Sequence, residues 1–123
     1  MNTFSFVRPE HLSHQGYLFG GQLLKWVDEF TWLVAAREYP GTILVTRAMD
    51  NISFTKRVGS GAILRFDICW QRQGNASVTY ETTVFASEEN YALEELVFST
   101  NVTFVCVDKD GRCTTLAQRK PFA

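Results

Sequence analysis

Apolar and polar residues alternate with a period of two through the second half of the chain, a pattern that predicts three long β-strands. Ala62, Leu64, Phe66, Ile68 and Trp70 fall on one face of the first, with Ile63, Arg65, Asp67, Cys69 and Gln71 on the other. Gln73-Gly74-Asn75 turns the chain, after which Val78, Tyr80, Thr82, Val84 and Ala86 alternate with Ser77, Thr79, Glu81, Thr83 and Phe85. These two strands read as a hairpin. A polar turn at 87–90 leads to the third strand within 93–107, with Phe98, Thr100, Val102, Phe104 and Cys106 on one face. Asp108-Lys109-Asp110-Gly111 ends it as a plain turn, since the further acidic ligands of a calcium loop are missing.

Ahead of the strands, residues 22–38 place Leu23, Leu24, Trp26, Val27, Phe30, Trp32, Leu33 and Val34 on more than one side of a helix. That spread predicts a helix buried nearly all round, and Tyr39-Pro40-Gly41 stops it. Residues 42–49 and Ile52-Ser53-Phe54 read as one strand kinked at Asp50-Asn51. Phe4 and Phe6, before Pro9, fit a short edge strand, and residues 55–61 fit a basic loop. One helix and an antiparallel sheet of long strands make an α+β protein in which the sheet curls around the helix. A small sheet with long strands has edges to hide, which predicts pairing with a second subunit.

A chain of 123 residues fits a single domain over residues 1–123. The net charge of -1, with basic residues scattered, gives no reason to expect a nucleic-acid partner held by charge. No apolar run approaches a membrane span and the amino terminus lacks the regions of a signal peptide, so a cytoplasmic location is expected, with no membrane partner. Cys69, Cys106 and Cys113 lack metal-site or disulfide-framework spacing and read as buried thiols or packing residues. The tail around Gln118-Arg119-Lys120 is expected to be exposed.

The chemistry concentrates at the start of the helix. Gly20 and Gly21 allow close approach to a ligand, and a helix N-terminus supplies unpaired N–H groups and partial positive charge for an anion or a developing oxyanion. Asp28 lies about two turns further in; an acid on an apolar helix is either paired or put to use. Lys25 is its bland partner, for which Glu29 competes. Lys56, Arg57 and Arg72 are candidates for phosphate contact. Ser13 lacks the elbow of a hydrolase nucleophile, and His11 and His14 lack a positioned acid, so no metal site is expected.

The stretch His14-Gln15-Gly16-Tyr17-Leu18-Phe19-Gly20-Gly21-Gln22-Leu23-Leu24, followed by Trp26-Val27-Asp28-Glu29, resembles the hotdog-fold acyl-CoA thioesterases with an aspartate on the central helix. Asp50-Asn51-Ile52-Ser53-Phe54, Val58-Gly59, Gly74-Asn75-Ala76-Ser77-Val78 and the segment from Phe104 to Gly111 resemble the same family in the same order. The resemblance implies a hotdog fold, a curved antiparallel sheet wrapped around one long central helix, with active sites at the interface of a homodimer that can assemble further to a tetramer or hexamer. It implies hydrolysis of acyl-CoA without a cofactor, Asp28 as general base or nucleophile, and the Gly21 amide as donor to the carbonyl oxygen. His14, Gly20, Arg57, Gly74 and Ser77 are the implied or neighbouring substrate contacts. One departure stands out: the family usually has asparagine where this chain has Ser13, a positioning residue for thioester or water. A hotdog protein that binds acyl-CoA without hydrolysing it is the alternative that Ser13 keeps open.

Overall fold

The computed structural model describes residues 1–121. Strand β1 (Asn2–Phe6) is followed by a short 3-10 turn (Pro9–His11), helix α1 (Gly20–Glu38) and strands β2 (Ile43–Phe54), β3 (Ile63–Gln73), β4 (Ser77–Ser87) and β5 (Glu95–Val107). The five strands form one sheet in the order β1-β3-β4-β5-β2, antiparallel throughout. The predicted inward faces are the buried ones: Leu64, Phe66, Val78, Tyr80, Thr82, Val84, Phe98, Val102 and Phe104 are almost wholly excluded from solvent. They pack against Leu23, Val27, Val34 and Ala35 of α1. The kink expected at Asp50-Asn51 is present as a register shift between Asp50 and Ser53, with Asn51 at φ 53, a left-handed angle that asparagine tolerates.

Three expectations are corrected. The helix is not buried all round, because a single five-stranded sheet covers only one side of it: Trp32 is 40% and Leu33 50% exposed. Cys106 is buried, but Cys69 and Cys113 lie on the surface. In the tail, Gln118 and Lys120 are exposed as expected, but Arg119 is partly buried and ties the tail to the core. Arg119 grips the buried Glu38 with two charged hydrogen bonds of 2.9 Å, and the Tyr80 hydroxyl donates to the same carboxylate at 2.7 Å. Tyr39, at the end of α1, accepts from the Trp70 indole and donates to Gln73, whose amide reaches the Leu116 and Ala117 carbonyls. Burial, followed by the Glu38 bond, pushes the Tyr80 phenol well above its ordinary range, and burial raises that of Tyr39.

Sheet edges fall at β1 and β2. Strand β2 is twelve residues long, and on its outer face Ile43 and Val45 are about half exposed. An open edge of that length with apolar side chains is a surface that folded proteins normally cover.

Candidate active site

Helix α1 lies antiparallel along β2, the edge strand. At its start, the Phe54 ring stands 3.6 Å from where a side chain on Gly20 would begin. Midway, the Thr46 hydroxyl donates to Asp28 Oδ1 at 2.6 Å. One turn later, the Trp32 indole donates to the Leu44 carbonyl at 3.0 Å. Asp28 is half-buried, and its second oxygen, Oδ2, has no hydrogen-bond partner among the described residues. Lys25 does not pair with it: no ion pair joins the two. The carboxylate is thus held by one oxygen and left free at the other, the arrangement a general base needs.

The helix begins without a side-chain cap. Phe19 stands at the N-cap in extended conformation, and its carbonyl accepts the Gln22 and Leu23 N–H groups. The Gly20 and Gly21 N–H groups have no acceptor among the described residues, so they remain available to a ligand oxygen. A Cβ on Gly21 would come within 2.7 Å of the Phe19 ring, so glycine lets that ring fold over the first turn. The start is fixed from two sides: the Phe19 N–H donates to the His11 carbonyl and the Leu18 N–H to that of Val58. His11 packs edge-on against Trp26 with ring centres 4.7 Å apart, and its Nδ1 accepts the Arg8 N–H.

Ser13 opens a small hairpin closed by the Leu12–Leu18 bridge, and its own N–H donates to the Tyr17 carbonyl. Its hydroxyl oxygen accepts the Gln15 N–H at 3.2 Å and makes no bond to Asp28. His14 sits exposed at the hairpin tip. A cleft of about 360 Å³ runs from the start of the helix to the basic loop, lined by Tyr17, Leu18, Gly20, Leu23, Phe54 and Val58. Arg57 lies over the Tyr17 ring at 5.0 Å on its rim, while Lys56 is paired with Glu95. Within one chain, therefore, Gly20, Gly21 and Arg57 are brought together and Asp28 lies farther along. Gly74 and Ser77 form the β3–β4 turn, where the Gly74 N–H donates to the Ser77 carbonyl, next to Gln73 and so at the opposite end of α1.

Sequence reasoning missed Thr46. It stands eighteen positions after Asp28, and only the seating of α1 on β2 brings the two together. The available clue was a hydroxyl directly after the apolar run Ile43-Leu44-Val45 in the strand that follows the helix.

The pattern of the thioesterase superfamily matches residues 15–92. The chain belongs to this superfamily. Among thioesterase relatives, it is 30% identical over 99 residues to the acetyl-coenzyme A thioesterase of Mus musculus, matching 80% of this chain and 18% of that protein. It is 28% identical over 110 residues to the uncharacterized acyl-CoA thioester hydrolase YkhA of Bacillus subtilis, matching 88% of this chain and 62% of that one. The chain thus spans under a fifth of the length of the mouse thioesterase. A hexameric hotdog fold thioesterase of Campylobacter jejuni superposes with a TM-score of 0.78 at 28% identity, covering 94% of this chain and 88% of that one. The sheet and its single helix form the hotdog fold.

Proposed function

We propose that the protein hydrolyses acyl-CoA to free CoA and a carboxylic acid, at a site completed by a second copy of the chain. The observation that carries this reading is Asp28: a carboxylate anchored through one oxygen by Thr46, free at the other, on a helix that opens with unpaired glycine amides at the uncovered edge of the sheet. Relatives named for acyl-CoA thioester hydrolysis support the substrate class.

The geometry argues for two chains per site. Asp28 lies two turns beyond Gly21, roughly 10 Å along the axis at 1.5 Å per residue. A single thioester carbonyl cannot accept the Gly21 N–H and at the same time meet a water held directly by Asp28 across that distance. A two-fold axis beside β2 joins the two edge strands and runs the partner's helix antiparallel, carrying its N-terminal glycines toward Asp28. The same operation brings them toward the Gly74–Ser77 turn.

In that site, Asp28 Oδ2 takes a proton from water as the water oxygen attacks the thioester carbon. The partner's Gly21 N–H donates to the oxyanion that forms. The carbon–sulfur bond then breaks, and the leaving thiolate takes the proton back from Asp28. Arg57 on the cleft rim is a charged contact for CoA phosphate. Association of dimers into a hexamer and the cytoplasmic location belong to the same proposal.

Ser13 favours the second reading, binding without turnover, because its hydroxyl oxygen serves the hairpin at Gln15. Release of free thiol from a panel of acyl-CoA substrates separates the two. Turnover that is lost in Asp28→Asn and largely kept in Glu29→Gln supports hydrolysis; binding of every substrate with turnover of none supports the binding module.

A further inference from the structure

Trp32 makes an unusual bond for a half-exposed tryptophan. Its indole N–H donates to the carbonyl of Leu44, in the edge strand. Opposite Leu44 stands Cys106, which gives its N–H to the Ala76 carbonyl and accepts the Thr114 N–H at its own carbonyl, both on the side away from β2. Since a strand residue's two backbone groups point the same way, Leu44 is the non-bonded partner of Cys106 and turns its N–H and C=O out of the free edge. The indole therefore hooks over the rim of the sheet and takes an acceptor that no strand in this chain uses.

The bond at Asp28 and the bond at Trp32 form two rungs between α1 and β2. On the helix they are four residues apart, roughly 6 Å; on the strand Thr46 and Leu44 are two apart, roughly 6.6 Å. The spacings match only when both bonds are made in this register. Thr46 needs the help: the β2–β5 ladder is broken by the register shift between Thr46 and Ala48 immediately after it. At such an irregularity the ladder alone does not fix the strand, and the Leu44 clamp sets how β2 sits under Asp28.

We infer that Trp32 is a positioning residue for the hydrolysis: by holding the Leu44 carbonyl it sets Thr46 against Asp28, and thereby aims the free carboxylate oxygen at the water. This rests on the role proposed for Asp28. Trp32 makes no hydrogen bond to Asp28 itself, so its effect is expected to run through Thr46 and to be absent where Thr46 cannot donate.

The test is a double-mutant cycle on acyl-CoA hydrolysis with wild type, Trp32→Phe, Thr46→Val and the double variant, with thermal denaturation of each. Phenylalanine keeps an aromatic ring and removes only the donor. Trp32→Phe is expected to lower kcat about five- to tenfold with KM within about twofold, and the double variant to be no slower than Thr46→Val alone. An unchanged kcat in Trp32→Phe, or the same fold-loss repeated in the Thr46→Val background, overturns the inference while leaving Asp28 in its role. If Trp32→Phe does not fold, 3-benzothienylalanine at this position, isosteric with tryptophan but lacking the N–H, is read by the same criteria. A wild type that hydrolyses no acyl-CoA, or an Asp28→Asn variant as fast as wild type, defeats the proposed function and this inference together.

Discussion

Replacing Thr46 by valine removes one hydroxyl and nearly preserves shape, so the change isolates the bond to Asp28. That bond is a 2.6 Å O–H···O contact to a carboxylate, a class whose contribution is about 1.5–3 kcal/mol. Asp28 is only half-buried, and water can replace part of what is lost, so the lower end applies. About 1.5 kcal/mol corresponds to roughly a tenfold fall in rate if the bond is needed to hold the base in the transition state. Steady-state release of CoA thiol is the assay. The loss is expected in kcat with KM nearly unchanged, because the bond orients the base and does not grip the substrate. Thr46→Ser, which keeps the hydroxyl, is expected to retain most of the rate. A loss under twofold in Thr46→Val, or serine as slow as valine, would refute the argument that this hydroxyl positions the carboxylate.

Ser13→Asn is expected to raise kcat by up to about tenfold, since the longer amide can reach thioester or water and an asparagine can still make the local turn that Ser13 makes with Gln15; a slower variant would make serine a working part of the site. Arg119→Ala strips the buried Glu38 of two charged bonds, and with the arginine side chain 31% exposed the expected destabilisation is about 2 kcal/mol. Urea unfolding reads this directly, and a change under about 0.5 kcal/mol would contradict it. Tyr80 and Tyr39 have phenol pKa values raised above the ordinary 10.0, so their contribution to stability is intact below about pH 10. It falls at higher pH, as the unfolded chain loses protons that the fold retains; for Tyr80, the more strongly shifted of the two, the slope is about 1.4 kcal/mol per pH unit. Tyr80→Phe is expected to remove one proton's worth of that slope, and an equal slope in variant and wild type between pH 10 and 11.5 would disprove it.

What the chain reveals before folding is its local periodicity. Alternation placed Leu64, Phe66, Tyr80, Val84, Phe98 and Phe104 on the buried face, and each is there. Asp50-Asn51 foretold the kink because asparagine accepts the left-handed angle that the bend requires. The misses are relations between distant parts. Trp32 and Leu33 look like core residues by composition, but whether a helix face is covered depends on how many sheets enclose it. Arg119 looks like a solvated tail residue; its partner Glu38 is eighty-one positions away. The candidate site divides in the same way. Gly20, Gly21 and Asp28 were legible as candidates because a helix start and an acid two turns later are local features. Thr46 and Trp32 were not, because their roles depend on the register of α1 on β2.

The proposed sharing of the site between two chains is open to one direct measurement. Gly21→Pro removes the amide N–H at a first-turn position where proline is tolerated, with Phe19 exposed enough to swing aside, and Asp28→Asn removes the base. Each variant alone is expected to be nearly inactive toward acyl-CoA. When the two are co-expressed and assembled together, a hybrid dimer has one site with both groups intact and one with neither, so random pairing should restore about a quarter of the wild-type rate per chain. A mixture as inactive as its parents, with hybrid dimers demonstrated by native mass spectrometry, would mean that Gly21 and Asp28 do not meet across two chains.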